Sequence, residues 1–237
     1  MLFRSAEELT FFKQPALKAE VSAVPNNSAA DNSQPRRKGR DIPPGAGALL
    51  AEAQRAAESG RYEEAEQKYL QVLRQDENNV YTLANLAAVQ IDLNRADEAD
   101  KNLKRAMAVD PDDSATLFLY GRLKFTQEKW DEALDALSRA AVAMPDEPRT
   151  QFYLGKALIQ KGNRDQAEKV LRKAVQLKPG FGEAHYLLAV LYGTQQPPFR
   201  ELAEWHYKKA IAAGYPRNPE FEKTIEEKGQ NSAAATR

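Results

Sequence analysis

Residues 114–147 read SATLFLYGRLKFTQEKWDEALDALSRAAVAMPDE, and residues 148–181 read PRTQFYLGKALIQKGNRDQAEKVLRKAVQLKPGF. Laid under one another without a gap, they set Gly121 over Gly155, Ala133 over Ala167, Ala140 over Ala174 and Pro145 over Pro179. The same 34-residue step reaches outward to Ala65 and Ala99, to Ala106 and Pro111, and to Ala53, Ala87 and Ala189. Four residue classes holding one register across most of the chain define a tandem repeat. A period of this length marks stacked two-helix units, none of which can bury its apolar face alone. It points away from a catalytic pocket and towards a curved surface that holds another chain.

Working outward, the units are expected at 46–79, 80–113, 114–147, 148–181 and 182–215. The first helix of each is apolar at helical spacing, as in Leu83, Leu86 and Ala87, or Leu117, Tyr120 and Gly121. A break follows at Gly60, Asn94 or Gly162. The second helix opens with acids (Glu63, Glu64; Asp97, Glu98; Asp131, Glu132; Asp165) and carries bases nearer its end, so both ends complement the macrodipole. Pro111, Pro145 and Pro179 stop it. Acid-rich runs at 76–79 and 110–113 fall at turns between units and are read as helix caps. In the fifth unit the loop GTQQPPFRE is longer, and Pro197 and Pro198 suit the entry to a helix, where a missing donor is harmless.

These residues carry a family resemblance. Ala53, Gly60, Tyr62, Ala65 and Tyr69 in the first unit, and Gly121, Trp130, Ala133, Leu137, Ala140 and Pro145 in the third, resemble the tetratricopeptide repeat. The resemblance covers residues 46–215. Val72 and Glu77 depart from the pattern, standing where Ala and Pro are usual. The pentatricopeptide family, which reads RNA, has a step one residue longer and does not fit. The implied fold is all-α: a right-handed α-solenoid of five helix-turn-helix repeats. A capping helix over 216–228 is expected to close it, with Phe221 and Ile225 on one face, before a polar tail at 229–237.

The resemblance also implies where a partner would lie. In this family the concave groove is lined by the first helices at places two, five, nine and twelve of each unit, which share one helical stripe. Those places hold Tyr81 and Ile91 in the second unit, and Phe118, Arg122 and Phe125 in the third. In the fourth they hold Arg149, Phe152, Lys156 and Ile159, and in the fifth Tyr186. Phe118, Phe152 and Tyr186 are expected as a ladder of exposed rings with Arg122, Lys156 and Arg149 interleaved, residue types that anchor interfaces. The Lys and Asn pattern with which co-chaperones of this family grip a C-terminal carboxylate is missing; only Asn85 matches it.

Residues 1–45 differ in composition. From 22 to 47 the text is SAVPNNSAADNSQPRRKGRDIPPGAG, too poor in apolar residues to offset the entropy of ordering, and a disordered N-terminal arm is expected. Ahead of it, SAEELTFFKQ could form a short helix, with Ser5 and Glu8 at capping-box spacing. Leu2-Phe3-Arg4-Ser5 matches the translated end of a common sequencing adapter, so the natural protein is expected to continue upstream of Met1.

Function classes narrow further. The 34 Lys and Arg balance 34 Asp and Glu, giving no reason to expect nucleic acid or an anionic membrane surface. There is no cysteine and only His185 and His206, so neither a metal site nor a cofactor is expected. His185 is read as a packing residue, and His206 as an interface residue against the capping helix. No apolar run approaches the length of a bilayer span. No nucleophile with its base and no phosphate-cradling loop is found, so the chain is read as non-enzymatic. The leading expectation is a scaffold binding an apolar protein segment with acidic residues, as a helix or extended strand. The alternative is the recruiting or regulatory arm of a larger enzyme or of a secretion or assembly protein. Self-association, with Leu9, Phe11 and Phe12 folding into the groove, is a third reading. The compartment is undetermined: cytoplasm is favoured slightly, and a secreted or periplasmic placement stays open.

Overall fold

The computed structural model describes Gly39 and residues 41–225; the short N-terminal helix and the polar tail expected above lie outside these residues. The described residues are helical, with no strand. Residues 39–144 and 145–225 belong to two compact units, taken in turn.

The first unit holds α1 (Gly47–Glu58), α2 (Tyr62–Leu73), α3 (Val80–Asp92), α4 (Ala96–Val109), α5 (Ser114–Thr126) and α6 (Trp130–Ala143). They pack as hairpins α1–α2, α3–α4 and α5–α6, with α2 on α3 and α4 on α5. The small residues of the repeat sit where helices touch: Ala65, Ala99, Ala106, Ala133 and Ala140 are all fully buried. At Gly121 the approach is closest, since a Cβ there would lie 2.6 Å from Leu137 Cγ. α3 and α5 start at side-chain caps, Asn79 accepting from the Thr82 amide at 3.0 Å and Asp113 from the Thr116 amide at 2.9 Å. Turns within hairpins pass through the left-handed region at Gly60, Asn94 and Glu128.

The N-terminal boundary differs from expectation. Gly39 and residues 41–45 lie against the start of α3 rather than in a loose arm. Gly39 O accepts the Val80 amide at 2.7 Å, Asn79 Nδ2 donates to Asp41 O at 2.8 Å, and Pro43 is buried. Gly39 has φ of +72°, and a Cβ there would meet Val80 Cγ2 at 2.8 Å. A proline-rich stretch can be held by its backbone alone, which composition does not register.

Neighbouring hairpins also meet through polar pairs that change from junction to junction. At the first, Gln90 Nε2 donates to Glu66 Oε1 at 3.1 Å, with Arg95 at 2.7 Å from Glu66. One period later the same two places hold Asp100 and Lys124, whose Nζ and Oδ1 are 2.6 Å apart. Lys124 is 2% exposed and also lies 4.8 Å over the Tyr120 ring.

The second unit holds α7 (Pro148–Gln160), α8 (Arg164–Leu177), α9 (Gly182–Thr194) and α10 (Arg200–Ala212), with residues 219–225 helical. α7 pairs with α8, α8 packs on α9, and α9 pairs with α10. Gly155 repeats the close approach, 2.6 Å from Leu171 Cγ to an added Cβ. At the α8–α9 junction Tyr192 Oη donates to Glu168 Oε1 at 2.8 Å. Pro197 and Pro198 precede Phe199, the N-cap of α10, and so stand just outside the helix they were expected to open. The segment after α10 closes this unit: Phe221 is fully buried, Ile225 nearly so, and Asn218 caps 219–225 by accepting the Phe221 amide at 3.1 Å.

His185 and His206 are both buried and their Nδ1 atoms are 2.9 Å apart. His185 Nε2 lies 3.0 Å from the Pro179 carbonyl, which can only accept, so His185 donates there and receives the His206 Nδ1–H. His206 thus packs between Tyr192 and Trp205, and it is Tyr207 that meets Phe221.

Candidate functional site

In the first unit the residues of the expected groove lie on α3 and α5. Tyr81 is buried and its hydroxyl accepts from Gln54 Nε2 at 2.5 Å. Ile91 and Phe118 are half-buried on the same core cluster. Phe125 is half-buried, edge-on to Trp130 with centroids 5.0 Å apart. Arg122 lies between the two phenylalanines in sequence and is 7% exposed. Its Nη2 forms an ion pair with Asp92 Oδ1 at 3.8 Å, too long for a hydrogen bond, and neither Nε nor Nη2 has a hydrogen-bond partner. The structure therefore brings a buried guanidinium, ion-paired with Asp92 but short of hydrogen bonds, and two partly exposed rings together on α5.

In the second unit the residues of the expected groove are more enclosed. Arg149 is half-buried, its amide bonded to the Glu147 cap at 3.2 Å. Phe152 is 5% exposed, its centroid 4.8 Å from Phe181. Lys156 stands 5.5 Å over Phe152 and 5.3 Å over Tyr153. Burial pulls its ammonium down to about 8, against the opposing charge of Glu183. Ile159 is buried. Tyr186 is 2% exposed: it stacks on Tyr215 at 4.5 Å, meets Phe221 at 5.9 Å, and its hydroxyl accepts from Asn218 Nδ2 at 2.9 Å.

The expected ladder of exposed rings is corrected accordingly. Phe118 keeps a wet edge, whereas Phe152 is covered by Phe181 and Tyr186 by the C-terminal segment. The chain's own aromatics fill the places where a partner's side chains were expected. Sequence reading missed the enclosure of Arg122 and Lys124; a basic residue at an inner helix position with acids one repeat earlier was the available signal. Among the described residues no cluster of three or more His, Cys, Asp or Glu could hold a metal. None of the helices there is long and apolar enough to cross a membrane.

The family model described as "Tetratricopeptide repeat" matches residues 56–123 and 124–191, more than half of the chain. The chain belongs to the tetratricopeptide repeat family. Solved structures of MamA share the fold. One, "Crystal structure of MamA", is 26% identical with a TM-score of 0.58, covering 68% of this chain and 94% of that one. "MamA MSR-1 C2" is 28% identical with a TM-score of 0.57, covering 70% and 94%. A MamA fragment from Desulfovibrio magneticus RS-1 is 20% identical with a TM-score of 0.61, covering 73% and 97%, and bears on the fold alone. No curated protein matches the chain. As a tetratricopeptide repeat protein it is, in coarse terms, a protein-interaction scaffold.

Proposed function

We propose that this tetratricopeptide protein is a non-enzymatic scaffold whose inner helices α3 and α5 bind a protein segment that is apolar and carries an acidic side chain. The observation behind it is Arg122. Asp92 balances its charge at ion-pair distance but leaves two buried donors without hydrogen bonds, each such bond to a charged group being worth about 1.5–3 kcal/mol. A carboxylate brought by a partner would receive those donors in a fork geometry that Arg favours. Phe118 and Phe125, one turn away on either side, would hold the apolar flanks of that segment.

The test compares the full chain with a Phe118→Ala/Phe125→Ala variant in affinity capture from the source organism, followed by titration of the captured partner. The variant is expected to keep its circular dichroism and to bind at least tenfold more weakly. Equal affinity in a folded variant would place binding elsewhere. Arg122→Gln should then weaken an acidic partner more than a version of that partner with its carboxylates replaced by amides.

A further inference from the structure

One apolar surface of the second unit takes no part in that reading. Phe199, Leu202 and Trp205 are 49%, 46% and 50% exposed. They recur at three-residue spacing from the N-cap of α10 into its second turn, and so share one helix face about 9 Å long. A hollow of about 530 Å³ lined by Pro197, Pro198, Phe199, Arg200, Glu201 and Leu202 opens at its upper end. A cluster of this size is comparable to the largest apolar patch of a typical monomer, a patch that is often functional.

The charges around the stripe select that partner. Lys209 Nζ lies 5.4 Å over the exposed Trp205 ring. Beneath Trp205 sit the two histidines, whose centroids are 5.8 and 4.7 Å from it. Both imidazoles are held below their ordinary value, first by burial, then by Lys209 acting on His185 and by His185 and Arg172 on His206. Of the nearby acids, Glu168 is engaged with Tyr192 and Arg172 and Glu204 with Lys208, while the exposed Glu201 lines the hollow two turns before Lys209. Three half-exposed side chains offer roughly 300 Å², well short of the ~800 Å² per partner that a stable dimer needs. A second copy is therefore a poor occupant and a single narrow element a good one.

We propose that the outer face of α10 is a docking site for a short amphipathic segment of another protein that is apolar on one side and acidic on its flanks. The apolar side of the segment covers Leu202 and Trp205, one of its rings enters the hollow beside Phe199, and its carboxylates gather at the Lys209 end of the stripe, away from Glu201. This site is separate from α3 and α5.

The two histidines are the only ones in the chain, so the imidazole Cε1–H region of the proton spectrum holds two signals, both beneath Trp205. The probe is a short peptide with Leu and Phe at helical spacing and Glu elsewhere, titrated into the full-length protein. Both signals are expected to move in a saturable way, and the affinity to fall several-fold between low and high salt. Leu202→Glu, on an exposed position, should weaken binding at least tenfold while leaving the melting temperature in place. A second variant, Lys209→Glu, should weaken the acidic peptide and not one with Gln in place of Glu. Equal binding of a peptide with Lys in place of Glu, or unchanged binding by a folded Leu202→Glu protein, overturns the proposal. So do signals that move with protein concentration alone, which would mean a second copy.

Discussion

Single residues decide several features that repeat periodicity leaves open. The hairpin turns need a left-handed residue, supplied by Gly60 and Gly162 with φ of +73° and +76°, by Asn94 at +59° and by Glu128 at +58°. Glycine and Asn were readable as breaks; Glu128 was not, because nothing in its side chain favours that region. A non-glycine left-handed residue costs about 1–2 kcal/mol, and glycine's greater unfolded-state freedom returns about 0.4–1 kcal/mol of the gain. Glu128→Gly is therefore expected to stabilise the protein by roughly 0.5–1 kcal/mol. A thermal melt would show it as a rise of a few degrees, and Asn94→Gly should gain less. The histidine pair gives a pH dependence of definite sign. His206 is held down to about 4, chiefly by burial, then by His185 and Arg172. The unfolded imidazole takes its proton near 6.5. Between those values the unfolded chain binds a proton that the folded chain refuses. Stability is full above about pH 6.5 and falls as the pH drops towards 4. His206→Phe should flatten that slope in denaturant titrations run across the range.

At the scale of elements, helix positions followed from periodicity, but what covers each helix did not. Tyr186 occupies the place that the family pattern reserves for a partner, yet Tyr215, Asn218 and Phe221 reach it first. A stripe assignment specifies which way a side chain points along its own helix; it carries no information about a segment that returns from thirty residues later. Phe221 is the keystone of that segment, fully buried against Tyr186 and Tyr207. Phe221→Ala should cost about 3–5 kcal/mol, seen as a lower denaturation midpoint and as exchange of the α9 and α10 amides. Intact protection there would show that the segment is not part of the core. The opposite terminus makes a matching case. A chain starting at Gly39 keeps the bonds from Gly39 O to the Val80 amide and from Asn79 to Asp41 O, and one starting at Ala46 loses both. At about 1 kcal/mol net each, the shorter chain should melt a few degrees lower, and equal melting would mean the contact adds nothing.

For the whole molecule, the charge balance has a practical outcome. With formal net charge of zero at pH 7 and an isoelectric point near 6.8, solubility is expected to be lowest close to neutrality and to rise towards pH 8.5. Measured saturation concentrations across that range would check it, a flat profile counting against it. The repeat register made the fold class readable at this scale, since Ala, Gly and Pro recur wherever backbones approach or helices stop. The chemistry of the junctions was far less readable, because it lives in positions that the period leaves unconstrained. There Glu66 meets Gln90, Asp100 meets Lys124 and Glu168 meets Tyr192, at equivalent places one or more periods apart. Each of these junctions thus sets an acid against a donor of the next hairpin. Tandem duplication, the genetic event that lengthens such arrays, would seat a second copy of residues 80–113 behind the first and face Asp100 with Gln90 in place of Lys124. Loss of the same stretch would join Glu66 to Lys124 and keep opposite charges together. Gain and loss of this module would each leave an acid facing a donor, as Glu66 faces Gln90 now, so the chemistry of the junctions tolerates a change in the number of units.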